Sequence, residues 1–179
     1  MEKTLIEWIE INTPSDNLIG LDRFCRVLEE AFKELGGDIQ KLPLPQRTSI
    51  NHLGKEVKKP HGQALRIRKH QQAPIHIFLG GHMDTVYLPS SPFQKAKRVD
   101  SNILIGPGIA DMKGGLIILL ESLKILENSP YAGKIGWEVL INPDEEIGSV
   151  GSHHLFIEAA KRNHLALLFE PSLSDGSIV

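Results

Sequence analysis

Four short apolar runs, QALRIRK (63–69), IHIFLG (75–80), IGWEVLIN (135–142) and LALLF (165–169), are interleaved with segments of helical periodicity. Runs of this length, rich in Ile, Val and Leu, read as buried strands. Between them, residues 113–127 place Leu116, Leu119, Leu120, Leu123 and Leu126 on one helical face, and a second helix covers about 151–162. Strands separated by helices in this way predict an α/β fold with a largely parallel sheet covered on both faces. Two further helices precede the sheet. Leu5, Trp8 and Ile9 form a short stripe over 4–11 that ends before Thr13-Pro14. Leu21, Phe24, Leu28, Phe32 and Leu35 form a longer one over 18–35, stopped by Gly36-Gly37.

Residues 42–62, rich in Pro, Gly and basic side chains, read as a surface excursion that turns at Leu53-Gly54, with its lysines a solvated face. The last residues, SIV (177–179), look like the opening of another strand, which points to a fragment of a longer protein.

At 179 residues the chain holds one sizeable domain rather than two. Its 41% apolar and 23% charged residues describe a globular chain rather than a disordered one. A formal net charge of −2 gives no reason to expect nucleic acid or an anionic membrane as a partner. The longest apolar stretches, such as LIILL at 116–120, are far too short to span a bilayer. The N-terminus mixes acids into its apolar pattern, unlike a secretion signal. The single cysteine, Cys25, excludes an intrachain disulfide and fits a reducing, cytoplasmic location. It lies beside the 18–35 stripe, where inert core packing is expected.

Chemistry-bearing residues recur just after the strands, where open α/β sheets bind ligands. IHIFLG runs into GGHMDTVY, with His82 and Asp84. GPGIADMKGG (106–115) sets Asp111 before a helix. The strand ending at Asn142 leads into Pro143-Asp144-Glu145-Glu146, and the last strand leads to Glu170 in FEPS. Each segment alone has an ordinary structural reading: a turn for His-x-Asp, a cap for Asp111, a solvated loop for the glutamates. Neither a phosphate loop (no G-K-[ST]), nor a dinucleotide fingerprint, nor an H-E-x-x-H helix is present. An imidazole and several carboxylates, each at a strand end, together favour a metal centre.

GGHMDTVY, GPGIADMKGG, NPDEEIGSVGS and FEPS, in this order, resemble the dinuclear zinc metallopeptidases that include glutamate carboxypeptidase, acetylornithine deacetylase and succinyl-diaminopimelate desuccinylase. HMDTVYLPSSPF followed by GPGIADMKGG is most similar to the glutamate carboxypeptidase branch. The resemblance implies a three-layer zinc-exopeptidase-like sheet, with 1–179 the N-terminal portion of the catalytic domain. It implies His82 and Glu170 on one zinc, Asp111 bridging two, Glu146 on the second and Glu145 as general base. Asp84 would hydrogen-bond the far ring nitrogen of His82, and the Asp111–Met112 peptide would be cis. The second zinc would then lack a third protein ligand, which such enzymes take from a histidine further along the chain. His153 and His154 match no ligand motif. A lid domain, also further along, would carry substrate contacts and a homodimer interface. The activity implied is hydrolysis of an amide or peptide bond beside a free carboxylate, in a small peptide or an N-acyl amino acid. Deacylation is the alternative within the enzyme class, and an inactive or degenerate metal-binding domain is the alternative for this chain alone. His plus carboxylates suits Zn²⁺ and would also accept Co²⁺ or Mn²⁺.

Overall fold

The computed structural model describes residues 1–173 and 175–178. In chain order it contains α1 (Glu2–Ile9), α2 (Leu18–Lys33), β1 (Asp38–Leu42), β2 (Arg47–Ile50), β3 (Glu56–Lys59), β4 (Ala64–Lys69), β5 (Ile75–His82), β6 (Lys97–Arg98), β7 (Leu104–Ile105), α3 (Gly114–Glu127), β8 (Ile135–Asn142), α4 (His153–Arg162) and β9 (Leu165–Leu168). A five-stranded sheet has the order β1-β4-β8-β5-β9. The pairs β8–β5 and β5–β9 are parallel, whereas β1–β4 and β4–β8 are antiparallel.

The α/β class and the helices on both faces are as the sequence predicts; the sheet is mixed, with its parallel half at β8-β5-β9. Connection length explains the division. Only residues 70–74 join β4 to β5, too few for the crossover that parallel strands require. The two therefore run in opposite directions and flank β8, which is parallel to one and antiparallel to the other.

Strand alternation divides the core between two faces. Leu65, Ile67, Leu79, Trp137, Val139 and Ile141 pack with Phe24, Leu28 and Phe32 of α2 and Leu116, Leu119 and Leu123 of α3. On the opposite face Ala64, Phe78 and Leu140 meet Leu155 and Ala159 of α4. Cys25 is buried in the first cluster, where burial pushes its thiol up to about 11, consistent with packing rather than reactivity.

The 42–62 excursion is the β2–β3 hairpin, closed by Asn51, whose Oδ1 accepts from Leu53 N and Lys55 N. It is tied back to the body by Arg47 and Lys59, both of which pair with Asp16. Strand β1 and the small β6–β7 hairpin were not anticipated. Their exposed or half-buried, mixed-polarity residues carry little periodicity. The strand expected at SIV does not form at Ser177 and Ile178, which have no neighbouring strand among the described residues; Val179 lies outside them. No helix among the described residues is long and apolar enough to cross a membrane.

The passage from β8 to α4 depends on a fully buried carboxylate. Asp144 Oδ2 accepts from Gly151 N (2.7 Å) and Ser152 N (3.1 Å), while Oδ1 accepts from Ser152 Oγ (2.6 Å) and Asn142 Nδ2 (3.1 Å). Asp144→Ala would strand two backbone donors away from water, and hydrogen bonds to a charged group exceed neutral ones in value. Chemical denaturation should register a loss of about 3 kcal/mol. A change within 0.5 kcal/mol of zero, on the order of an ordinary surface substitution, would contradict this role.

Candidate metal centre

Because β8, β5 and β9 are parallel neighbours, their carboxyl ends open on the same edge of the sheet. His82 ends β5 opposite Asn142 of β8, and Gly80 lies opposite Leu168 of β9. The residues that follow therefore leave the sheet side by side. Asp111 reaches the same edge from the loop before α3, where the Asp111–Met112 peptide is cis. Gly115, in the first turn of α3, admits the last segment. A Cβ there would lie 2.1 Å from the carbonyl oxygen of Phe169, so glycine lets the chain bearing Glu170 approach the helix.

His82 is buried and its ring is fixed from behind. Nδ1 lies 2.9 Å from the backbone carbonyl of Asp84, which can only accept, so Nδ1 carries the hydrogen. In the neutral ring this leaves the Nε2 lone pair facing the cluster. Nε2 is 2.8 Å from Asp111 Oδ1, 3.6 Å from Glu170 Oε2 and 3.9 Å from Glu145 Oε2. His82, Asp111 and Glu146 each offer one ligand atom, and these atoms lie within 4.8 Å of one another. A His/Asp/Glu group that could hold a metal ion is thus assembled. His153 and His154 open α4, exposed, and neither belongs to it.

Asp84 faces the far ring nitrogen of His82 with two groups. The carbonyl of Asp84 orients the imidazole, while its carboxylate stands 3.4 Å from Nδ1. That carboxylate, fully buried, has other partners. Oδ1 accepts from Glu145 N (3.1 Å), and Oδ2 accepts from Glu146 N (3.1 Å) and Ser15 Oγ (2.7 Å). It caps the single helical turn Glu145–Ile147, whose first amides have no partner within so short a helix.

The electrostatics are those of a site short of positive charge. Burial, then repulsion from Asp111, pushes Glu146 up to about 7. Burial also raises Glu145, with the Glu170 carboxylate adding to it against the pull of His82. Burial alone would lower His82, but hydrogen bonds to Asp111, Asp84 and Glu170 outweigh it and raise the imidazole to about 12. The hydrogen bond to His82 in turn holds Asp111 below the ordinary carboxylate range. An imidazole nitrogen with several carboxylate oxygens suits a divalent cation of zinc type, and a cation would relieve this repulsion. Two openings reach the cluster: a cleft of about 650 Å³ bordered by Asp111, Glu145, Leu168 and Glu170, and a recess of about 160 Å³ bordered by Tyr87, Gly108, Asp111 and Glu146.

Two residues at the site escaped the sequence reading. Ser15 is the third partner of the Asp84 carboxylate. Lys113 is buried two residues beyond Asp111, with Nζ donating to Ile11 O (2.7 Å) and Trp8 O (3.2 Å) and lying 4.5 Å from the centroid of the Phe24 ring. Burial pushes this ammonium down. Neither contact has a local signal, since the partners are 69 to 105 residues apart.

Comparison with known proteins bears on the same segments. The family described as peptidase family M20/M25/M40 matches residues 78–179. Carboxypeptidase G2 of Pseudomonas sp. (strain RS-16) is 32% identical over 170 residues, covering 95% of this chain and 38% of that protein. Succinyl-diaminopimelate desuccinylase of Hahella chejuensis is 37% identical over 87 residues, 44% of this chain and 21% of that protein. Among solved structures, an M20 family metallo-carboxypeptidase from Sulfolobus solfataricus superposes with a TM-score of 0.72 at 22% identity, covering 98% of this chain and 38% of its own. The chain therefore spans less than two-fifths of the length of these proteins. With a family match over more than half of its residues, the chain belongs to peptidase family M20/M25/M40.

Proposed function

We propose that the protein containing this chain is a metal-dependent hydrolase that cleaves an amide or peptide bond beside a free carboxylate, in the manner of a carboxypeptidase. The observation that carries this reading is the convergence of His82, Asp111 and Glu146 to within 4.8 Å, with Glu170 and Glu145 alongside, at one sheet edge. His82 and Glu170 are assigned to one cation, Asp111 to both and Glu146 to the second. Zn²⁺ is the favoured ion, with Co²⁺ or Mn²⁺ compatible. Bound cations would acidify a water and polarise the scissile carbonyl. Glu145 borders the open cleft, and burial holds its carboxyl above the ordinary range, which suits a group that takes a proton from water and returns it to the leaving nitrogen. Asp84 acts from behind, orienting His82 and fixing the Glu145–Glu146 turn.

A deacylase acting on N-acyl amino acids is the second reading, favoured by the 37% identity to the desuccinylase. The fold does not choose between the two. We assign residues 1–179 to the N-terminal portion of the catalytic domain, completed by a further catalytic segment and a lid through which the whole protein would form a homodimer. The edge strand β9 supports this division: Leu165, Leu167 and Leu168 are exposed, an arrangement that chains normally cover. The single, buried cysteine and the net charge of −2 favour a cytoplasmic protein without nucleic-acid or membrane partners.

In the complete enzyme, Glu145→Gln should keep its metal and lose at least a hundredfold in kcat, on the order expected for removing a general base; near-normal turnover would take Glu145 out of the mechanism. Asp111→Ala should empty at least one metal position, and unchanged two-metal stoichiometry by elemental analysis would contradict the bridging assignment. Residues 1–179 alone should bind the second cation weakly and show negligible hydrolysis of peptides and N-acyl amino acids. Brisk turnover by that chain would mean that it supplies every ligand itself.

A further inference from the structure

The connector between α1 and α2, with the last turn of α1, is bonded to the loop after β5 and to the start of α3, and reaches the loop after β8 through the Asp84 carboxylate. Ser15 is 7% exposed, and its hydroxyl donates to Asp84 Oδ2 at 2.7 Å. Beside it, Thr85 N donates to Thr13 O at 2.9 Å and Pro14 forms a parallel bridge with Thr85, so the connector lies along the loop that carries Asp84. Asn12 Nδ2 donates to Tyr87 O (2.9 Å) and Gln94 Oε1 (2.8 Å) further along the same loop. Ile11 O and Trp8 O receive the Lys113 ammonium, which ties in the start of α3 two residues after Asp111. The connector is itself held closed, because Asn17 Nδ2 donates to Asn12 O at 2.9 Å while Asn17 Oδ1 accepts from Gly20 N at the start of α2.

We propose that residues 8–17 form a strap that sets the spacing of the metal-bearing loops, with Ser15 as its positioning residue. This rests on the metal-site reading above. The Ser15 hydroxyl is hydrogen-bonded to Asp84, and it acts through that residue. The Glu145–Ile147 turn is three residues long, and its leading amides are held by the two oxygens of that one carboxylate. The Ser15 hydroxyl occupies the oxygen that also receives Glu146 N, so it resists rotation of the carboxylate and fixes where the Glu146 side chain starts. Removing the hydroxyl leaves a buried carboxylate oxygen short of a donor and lets the turn shift relative to His82 and Asp111. Outer partners of metal ligands act on affinity in this way.

The test measures Zn²⁺ binding to the complete enzyme by competition with a chelating dye, with thermal unfolding of each metal-free protein in parallel. Ser15→Ala should weaken binding about tenfold, the lower end of the range for outer-shell partners. Ser15→Thr, which keeps the hydroxyl, should bind within about twofold of the parent, a small part of that outer-shell effect. Val27→Ala, in the partly buried layer of α2, controls for general loss of stability and should lower the unfolding temperature without weakening zinc binding. Unchanged affinity in Ser15→Ala, or an equal loss in Val27→Ala, would overturn the strap while leaving the metal centre standing. Failure of the unsubstituted complete enzyme to bind Zn²⁺ would instead overturn the metal-site reading, and the strap with it.

Discussion

Parallel pairing of β8, β5 and β9 is the constraint on which the rest depends. Adjacent strands lie about 4.8 Å apart, so loops leaving three parallel neighbours start within reach of one another's side chains. His82, the Glu145–Glu146 turn and Glu170 follow those three ends. Were β9 to run the other way, Glu170 would emerge at the opposite edge, a strand length away. The antiparallel half of the sheet, β1-β4, contributes core through Leu65 and Ile67 but sends no ligand to this edge.

The acids of the chain divide by how completely their oxygens are satisfied. Asp84 and Asp144 are fully buried and accept three and four hydrogen bonds from named donors. Glu138, nearly as buried, is held by Arg162 and Asn163. These carboxylates organise backbone and side chains, and their charge is spent on fixed donors. Asp111, Glu145 and Glu170 have side chains 55%, 47% and 41% exposed and only His82 within ion-pair distance among the described residues. Mutually repelling carboxylates with open lone pairs around one imidazole form a group that could hold a cation. This division separates Asp144 from Glu145, its neighbour in sequence, more sharply than residue type does.

Much of the fold was legible because its signals are local. The runs at 75–80 and 135–142 are apolar on both faces, since β5 and β8 are covered by helices on each side, and their limits fall within two residues of the strands observed. The stripes of α2 and α3 face the core as their periodicity requires. Strand β1 was lost because its residues, exposed or half-buried at a sheet edge, follow no regular alternation. Ser177 and Ile178 form no strand for a related reason: β propensity produces a strand only beside a partner.

The sequence by itself determined the alternation of the main strands and helices, the placement of His82, Asp111, Glu146 and Glu170 at element ends, and the residue types from which a cation site could be drawn. These follow from periodicity and residue chemistry, which need no knowledge of distant contacts. Tertiary structure alone decided that the Asp84 carbonyl rather than its carboxylate orients His82 most closely, that Ser15 closes the Asp84 cage from 69 residues away, and that Lys113 fastens α1 to the Asp111 loop. Such contacts join segments remote in sequence, and only packing fixes which donor reaches which acceptor.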